Sequence, residues 1–250
     1  MLPRPTHQVG GAPALFLDVD GTLLDIAEAP DRVSVPARVV DLLARLAARG
    51  GALALVSGRS IRDLDGLLAP LRLPCAGLHG AERRDAGGRM HRLRVNGALD
   101  GARAALSDFC RDHPGTLLED KGAALALHYR LAPQAEAAAR RTVAALVSRL
   151  APDFQLQQGK CVLELKPAGA SKARAIGDFM AEPPFAGRIP VFVGDDATDE
   201  DGFRAVNAHG GLSVRVGPAS DTAARASLDG VADVLDWLSG WLMAPLEGTP

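Results

Sequence analysis

The sequence predicts an α/β protein whose parallel sheet is interrupted by an inserted α+β domain. Short, almost continuous apolar runs alternate with amphipathic helical stretches at both ends of the 250-residue chain. Strands that are apolar on both faces are typical of a parallel sheet with helices on each side. Between residues 87 and 167 the order changes to helix, strand, strand, and this order occurs twice. We therefore expect a core domain of residues 1–86 and 168–250 and an inserted domain of residues 87–167, since sheet loops tolerate insertions.

The predicted core elements follow from apolar periodicity and from stop signals such as Gly50-Gly51 after a helix. Before the insertion they are strand Ala14–Val19, helix Ala37–Arg49, strand Ala52–Val56, helix Ile61–Leu68 and strand Leu73–Leu78. After the insertion they are helix Ser171–Met180, strand Ile189–Val193, helix Asp199–Val206, strand Leu212–Val216 and helix Ala232–Leu242. In the insertion we expect helices Gly97–Asp112 and Pro133–Leu150 and strands Thr116–Glu119, Ala123–Arg130, Phe154–Gln157 and Cys161–Lys166.

Composition excludes several classes of function. The formal net charge is −2, from 28 basic and 30 acidic residues, so there is no basic field for a nucleic-acid backbone. No apolar run approaches the ~18 residues of a membrane span, and prolines interrupt the N-terminus where a secretory signal would be apolar. The three cysteines are far apart, as expected for free thiols in a reducing compartment. We expect a cytoplasmic monomer with no nucleic-acid or membrane partner.

The strongest local signal is the pair Asp18 and Asp20, followed by Gly21-Thr22, at the end of the first predicted strand. Side chains at i and i+2 of an extended segment point the same way. The carboxyl ends of strands are also where open α/β sheets bind ligands. Two carboxylates so close together need a cation, a shared proton or a role in phosphoryl transfer. The alternative is an ordinary turn, because Asp-Gly is a common turn dipeptide.

Other core strands end in matching polar groups. The second predicted strand is followed by Ser57-Gly58-Arg59, whose hydroxyl and guanidinium suit phosphate oxygens. Lys172, near the start of a predicted helix, could neutralise a phosphate or an acid pair. A lone lysine at such a position is more often solvent-exposed, and its place relative to the other elements favours the functional interpretation.

Residues 195–201 contain five acids within seven positions, directly after a predicted strand. Such a cluster in a near-neutral protein suggests a hard cation bound through oxygen. The competing interpretation is a capping box of Thr198 and Asp201 with acids at a helix N-terminus. Both can hold if Asp195 faces the metal while Thr198, Asp199 and Asp201 start the helix, with Asp196 and Asp199 as supporting acids.

This set of motifs resembles the haloacid dehalogenase-like phosphatase superfamily over nearly the whole chain and in the same order. The resemblance implies a Rossmann-like parallel-sheet core of the haloacid dehalogenase type with an inserted α+β cap domain. It also implies a Mg²⁺ cofactor bound by Asp18, the Asp20 backbone carbonyl and Asp195. The implied roles are nucleophile for Asp18, general acid/base for Asp20, phosphate-binding hydroxyl for Ser57 and phosphate-neutralising lysine for Lys172.

A narrower resemblance is to the trehalose-6-phosphate phosphatases. It is carried by five segments, namely Leu78-His79-Gly80-Ala81-Glu82, Leu118-Glu119-Asp120-Lys121-Gly122, Ala126-Leu127-His128-Tyr129-Arg130, Gly159-Lys160 with Glu164-Leu165, and residues 194–201. In that family the cap residues matching Glu119, Lys121 and Glu164 hydrogen-bond the sugar hydroxyls. The implied substrate-binding set is Asp18, Asp20, Ser57, Gly58, Arg59, His79, Gly80, Glu119, Lys121 and Glu164. The chain departs from the family at Lys172-Ala173, where Lys-Gly is usual.

Alternation along the last predicted strand of the insertion places Glu164 on the face opposite Leu163 and Leu165. Glu164 therefore points away from the core of the insertion, toward either a cleft or solvent, and alternation alone does not choose between them.

The resemblance implies hydrolysis of a sugar phosphate, with trehalose 6-phosphate as the expected substrate and an aspartyl-phosphate intermediate. One alternative is a phosphatase of the same superfamily acting on sucrose phosphate or a hexose phosphate. Another is a non-catalytic sugar-phosphate sensor on the same fold, which the presence of both Asp18 and Asp20 disfavours.

Overall fold

The computed structural model describes residues 2–26, 34–93, 99–159, 161–218 and 221–243. By its contacts the chain divides into two compact units. Unit 1 comprises Met1–His91 and Ser171–Pro250, and unit 2 comprises Arg92–Ala170. The division lies five residues after the first predicted domain boundary and three after the second. The role of unit 2 as a cap stays a prediction.

Twelve strands and seven helices are described. The strands are β1 (Pro13–Leu17), β2 (Leu53–Val56), β3 (Cys75–Gly77), β4 (Glu82–Arg84), β5 (Met90–Arg92), β6 (Leu117–Asp120), β7 (Leu125–His128), β8 (Phe154–Gly159), β9 (Val162–Pro167), β10 (Ile189–Gly194), β11 (Leu212–Val216) and β12 (Ala226–Leu228). The helices are α1 (Ala37–Gly50), α2 (Ile61–Leu67), α3 (Leu99–Asp112), α4 (Glu136–Leu150), α5 (Lys172–Met180), α6 (Glu200–Ala208) and α7 (Val231–Met243).

Unit 1 is built on an eight-stranded sheet of order β12-β11-β10-β1-β2-β3-β4-β5. The six strands from β12 to β3 are parallel, and β4 joins β3 in the antiparallel direction. β1 lies between β10 and β2, with Leu15 in register with both Val191 and Leu53. The predicted parallel-sheet core is therefore confirmed, and its three central strands end side by side.

Both faces of this sheet are buried because successive residues of a strand point to opposite sides. From β1, Leu15 and Leu17 enter one apolar cluster together with residues of α1, α2 and α7. Ala14 and Phe16 enter a second cluster with residues of α5 and α6. The continuous apolar character of β1 follows from this two-sided burial.

Unit 2 has a four-stranded antiparallel sheet of order β6-β7-β9-β8. One face carries Leu125, Leu127, Leu163 and Leu165, which share an apolar cluster with residues of α3 and α4. The predicted helix at 97–112 is described from Leu99 onward, and its first two residues lie outside the described part of the chain. No helix in the described ranges is long and apolar enough to cross a membrane.

The prediction missed three strands, β4, β5 and β12, each of three residues. β4 has the sequence Glu-Arg-Arg, which carries no apolar pattern. Its arginines are nevertheless buried, because Arg83 pairs with Glu182 and Arg84 forms two hydrogen bonds with Asp65 at 2.8 and 2.7 Å. Ion pairing across the fold, rather than local hydrophobicity, places this strand in the sheet.

Two helix glycines provide a test of the packing in unit 1. A Cβ on Gly202 in α6 would lie 2.5 Å from the ring of Phe192, whereas a Cβ on Gly177 in α5 would meet nothing within 4 Å. We predict that Gly202→Ala lowers the free energy of unfolding by about 1–2 kcal/mol, because overpacking outweighs the gain in helix propensity. Gly177→Ala, the matched control, should raise it by about 0.5–1 kcal/mol. Urea unfolding measures both, and a shift of the two variants in the same direction would contradict the packing described.

Candidate active site

The carboxyl ends of three neighbouring strands supply the polar groups of the candidate site. Asp18 follows β1, Ser57 follows β2 and Asp195 follows β10. The Asp18 amide donates to the Val193 carbonyl at 3.0 Å, and the Ser57 amide donates to the Ala76 carbonyl at 2.9 Å. These bonds continue the sheet ladder, so the register of the strands fixes where each functional residue leaves the sheet.

Lys172 is the first residue of α5, after the N-cap Ser171, whose side chain accepts from the Arg174 amide. Its ammonium group donates to Asp18 Oδ1 at 2.9 Å and to Asp199 Oδ1 at 2.6 Å. The side chains of Lys172, Asp18 and Asp199 are 2%, 7% and 0% exposed. A buried ion pair of this kind is costly to desolvate and is retained where its geometry serves a purpose.

Asp18, Asp195 and Asp199 form a cluster in which one oxygen of each lies within 4.8 Å of the others. Burial raises the pKa of Asp18 well above its usual value, Lys172 opposes this, and the charges of Asp199 and Asp195 raise it further. Burial, with the charges of Asp199 and Asp196, raises the pKa of Asp195 to about 6. Burial lowers the pKa of Lys172, but the two acids it contacts raise it above its ordinary value overall. One lysine therefore faces three acids, and the cluster has an excess of negative charge.

The cluster fits a hard divalent cation. Carboxylate oxygens are the ligands that Mg²⁺ prefers, and a second cation would relieve the repulsion that raises the acid pKa values. Gly21 makes room for this arrangement, since a Cβ there would lie 2.1 Å from Asp195 Oδ2 and its φ of +78° is left-handed. The residues whose carboxylates could hold the ion are Asp18, Asp195 and Asp199, and the Asp20 carbonyl stays a predicted ligand.

The helix start after β10 differs from the predicted one. The capping box is formed by Asp196 and Asp199, not by Thr198 and Asp201. The Asp196 side chain accepts from the Ala197 amide at 2.7 Å, and Asp199 Oδ2 accepts from the Asp196 amide at 2.9 Å. A 3₁₀ turn at Ala197–Asp199 precedes α6, so the cap lies earlier in the sequence than a pattern based on α6 alone would place it.

Asp20 leaves the sheet toward a different partner from Asp18. Arg59 Nε donates to Asp20 Oδ2 at 2.7 Å, and Arg59 Nη2 donates to Asp20 Oδ1 at 2.6 Å. The sequence predicted Arg59 as a phosphate ligand, and the structure adds this forked contact with the predicted acid/base.

The turn at Leu78–Gly80 packs against the Ser57-Gly58-Arg59 loop. The His79 amide donates to the Ser57 carbonyl at 2.9 Å, and a Cβ on Gly58 would lie 2.8 Å from the His79 ring. A Cβ on Gly80 would lie 2.6 Å from the Ser171 carbonyl, so the same turn closely approaches the start of α5. The predicted residues Ser57, Gly58, His79 and Gly80 therefore form one set of contacts.

In unit 2 the predicted sugar-binding residues form two polar pairs. The residues Glu119, Ala126 and Glu164 are aligned across β6, β7 and β9. Glu119 Oε2 lies 2.9 Å from His128 Nε2, and Lys121 Nζ donates to Glu164 Oε2 at 3.2 Å. Burial alone would raise the pKa of Glu119. The hydrogen bond with His128 and the charge of Lys121 outweigh this effect and lower the pKa below its usual value.

Of the two alternatives for the face that carries Glu164, exposure to solvent is wrong, because Glu164 is 5% exposed and Lys166 on the same face 4%. Sequence reasoning did not single out His128, although strand register could have paired it with β6. It also gave Asp199 only a supporting role, whereas in the structure the Asp199 carboxylate accepts a hydrogen bond from the Lys172 ammonium group. Lys160 lies outside the described residues.

Comparison with known proteins shows which family and fold the chain is similar to. The family model described as trehalose-phosphatase matches residues 16–232. The chain is 49% identical over 237 residues to a trehalose-6-phosphate phosphatase of Escherichia coli (strain K12), covering 93% of this chain and 88% of the relative. Its fold is similar to that of the C-terminal domain of a Candida albicans trehalose-6-phosphate phosphatase, with a TM-score of 0.85 at 22% identity, covering 97% and 99% of the two chains. It is also similar in fold to a phosphatase of the haloalkanoate enzyme superfamily from Bacteroides thetaiotaomicron, with a TM-score of 0.62 at 21% identity, covering 96% and 98%.

The charge excess of the cluster generates a prediction for Asp195→Asn. A pKa of about 6, above the usual value, means that the folded protein binds more protons than the unfolded chain between about pH 4 and pH 6. The ionised Asp195 therefore costs stability above pH 6 and nothing near pH 4. In EDTA at pH 8 we expect the Asn variant to be about 2 kcal/mol more stable than the wild type, with the difference vanishing toward pH 4.

Thermal unfolding as a function of pH measures this difference. Asp178→Asn is the control, because Asp178 is half exposed and lies 3.9 Å from Arg174, so its loss should change stability by less than about 0.5 kcal/mol at any pH. Addition of Mg²⁺ should stabilise the wild type and not Asp195→Asn. An Asn variant less stable than the wild type at pH 8 without metal would show that the acid cluster is not repulsive.

Proposed function

The chain belongs to the trehalose-phosphatase family, and from this membership we propose that it hydrolyses trehalose 6-phosphate to trehalose and phosphate through an aspartyl-phosphate on Asp18. The observation that carries the mechanism is the buried contact of Asp18 with Lys172 at the carboxyl edge of the sheet. It holds a carboxylate in one orientation where ligands of such sheets bind. We also propose Mg²⁺ as the cofactor.

Asp18 is the proposed nucleophile. Lys172 fixes its side chain and contributes a positive charge beside the carboxylate, which reduces the repulsion met by an approaching phosphate dianion. Asp18, Asp195 and the Asp20 carbonyl would hold Mg²⁺, and Asp199, which belongs to the same cluster, accepts a hydrogen bond from Lys172. When bound, the ion would neutralise charge on the phosphate and on the carboxylates.

Asp20 is the proposed acid/base. In the first step its proton passes to the sugar oxygen as the bond from that oxygen to phosphorus breaks. In the second step its carboxylate takes a proton from the water that hydrolyses the aspartyl-phosphate. The Asp20 side chain is 36% exposed, whereas that of Asp18 is 7% exposed, so water reaches the acid/base more readily than the nucleophile.

The remaining site residues would hold the substrate. The Ser57 hydroxyl and Lys172 are proposed to bind phosphate oxygens, with the loop at Gly58 and the turn at His79-Gly80 shaping their surroundings. In unit 2, Glu119, Lys121 and Glu164 are proposed to bind the sugar hydroxyls. Their pairing into Glu119–His128 and Lys121–Glu164 supports this role, because paired charges hold each side chain in a defined position.

The location of the protein in the cell and its oligomeric state are further proposals. A cytoplasmic location is supported by the three free cysteines Cys75, Cys110 and Cys161, as expected in a reducing compartment. We also propose a monomer with a small-molecule substrate and no nucleic-acid partner, since the net charge is only −2.

Phosphate release from trehalose 6-phosphate, sucrose 6-phosphate and glucose 6-phosphate tests the proposed substrate. We expect trehalose 6-phosphate to be hydrolysed at least about 100-fold more efficiently by kcat/KM, because buried polar groups of a sugar site reject substrates that leave them unpaired. EDTA should abolish release and added Mg²⁺ should restore it. Equal efficiency on all three substrates would contradict the substrate assignment while leaving the phosphatase chemistry intact.

Asp18→Asn should abolish phosphate release, with a loss on the order of 10⁴-fold or more, because an amide cannot form the covalent intermediate. Asp178→Asn on α5 serves as the control, since Asp178 is half exposed and lies 3.9 Å from Arg174, which is long for an ion pair. Circular dichroism should show both variants folded. Near-normal turnover of Asp18→Asn would remove Asp18 as the nucleophile.

A further inference from the structure

The contact between Arg59 and Asp20 has the geometry of a positioning device. Both Asp20 oxygens accept from the guanidinium, at 2.7 and 2.6 Å, and the Arg59 side chain is 13% exposed. Two parallel charge-assisted hydrogen bonds fix the plane of a carboxyl group as well as its position. A single ammonium contact would leave the carboxyl group free to rotate.

The backbone that carries Arg59 is itself fixed. The Arg59 amide donates to Ser57 Oγ at 3.1 Å, and its carbonyl accepts from the Leu78 amide at 2.9 Å. A Cβ on Gly77 would lie 2.8 Å from the same carbonyl, so the two segments are in direct contact. The base of the Arg59 side chain therefore cannot shift without breaking contacts with Ser57 or with the turn after β3.

That turn is strained. Leu78 and His79 both have left-handed backbones, with φ of 51° and 54°, a conformation that is costly for residues other than glycine. It directs the Leu78 amide to the Arg59 carbonyl and the His79 amide to the Ser57 carbonyl. The strain thus produces the contacts that hold the loop at residues 57–59.

We propose that Arg59 is the positioning residue of the acid/base Asp20, held in place by the strained turn at Leu78–His79. The proposal rests on the proposed phosphatase function. As the Asp18–phosphorus bond forms and the phosphorus–sugar oxygen bond breaks, the proton on one Asp20 oxygen passes to the sugar oxygen. While that oxygen carries the proton, its hydrogen bond from Arg59 is broken. The hydrogen bond from Arg59 to the other Asp20 oxygen still holds the carboxyl group. Asp20 then recovers a proton from the attacking water, and phosphate leaves Asp18.

A leaving-group comparison separates this role from direct phosphate binding. Arg59→Lys keeps the charge but loses the fork. For trehalose 6-phosphate, whose alkoxide must be protonated, we expect kcat/KM to fall about 100-fold, within the range that a positioned general acid contributes. For p-nitrophenyl phosphate, whose phenolate leaves without a proton, we expect kcat/KM to fall less than about threefold, because kcat/KM reports the steps up to loss of the phenolate and not the later hydrolysis in which Asp20 acts as base. Competitive inhibition by inorganic phosphate should be unchanged.

A double-mutant cycle tests whether Arg59 acts through Asp20. Asp20→Asn alone should lower kcat/KM for trehalose 6-phosphate, and adding Arg59→Lys should cause no further loss, because effects that act through one group are not additive. Arg84→Lys is the matched control, since Arg84 makes a comparable fork to Asp65 away from these acids. It should lower thermal stability without changing the ratio of the two substrates. Arg59→Gln provides a second variant if Arg59→Lys does not fold.

Equal losses on both substrates with weaker phosphate inhibition would overturn the proposal and make Arg59 a phosphate ligand. Additive losses in the cycle would also overturn it. If the wild type hydrolyses a different sugar phosphate, the substrate assignment fails, and the same comparison made with that sugar phosphate still decides the role of Arg59. If the wild type hydrolyses p-nitrophenyl phosphate but no sugar phosphate, Asp20 has no alkoxide to protonate and the proposal fails with the function.

Discussion

The buried ammonium group of Lys172 is the interaction on which the rest of the candidate site depends. It bridges Asp18 from the first strand and Asp199 from the start of α6, and thus joins three segments distant in sequence. The free-energy cost of desolvating these charges is offset only when the ammonium group lies within hydrogen-bonding distance of both acids. This requires α5 to begin at a position that brings Lys172 to both of them. Because Asp195 adds a third acid, the geometry stabilises the site only in part. The site is therefore less stable than its packing alone would allow, as is common where chemistry requires like charges together.

The same edge of the sheet depends on glycines to bring its loops into contact. Four glycines there each approach another segment closely, namely Gly21, Gly58, Gly80 and Gly194. A Cβ at any of these positions would lie between 2.1 and 2.8 Å from a side chain or a carbonyl oxygen of that segment. These approaches place the three polar strand ends and the start of α5 closer together than larger residues would permit. Substitution at any of them would move a functional group, not only fill a space.

The positions of the functional residues could be predicted from sequence where they follow an apolar strand, as Asp18, Ser57 and Asp195 do, because parallel strands deliver their carboxyl ends to one edge. Alternation likewise predicted the direction of Glu164. The fork of Arg59 on Asp20 could not be predicted, since both residues lie beyond the strand ends, where strand register no longer determines the direction of a side chain. The Asp196–Asp199 cap was also missed, because the 3₁₀ turn that it starts has no hydrophobic period.

Two acids two residues apart in sequence have opposite surroundings, and this difference supports the two roles proposed for them. Asp18 is buried against an ammonium group that offsets part of its charge and fixes its orientation, which suits a group that attacks phosphorus and is later regenerated by water. Asp20 is more exposed and is held in a planar fork, which suits a group that must exchange a proton with the leaving sugar and then with water. A proton carrier as deeply buried as Asp18 would recover its proton slowly, and a nucleophile as exposed as Asp20 would lose the fixed orientation that attack requires. Unequal burial of the paired acids is thus what the proposed division of the chemistry between them requires.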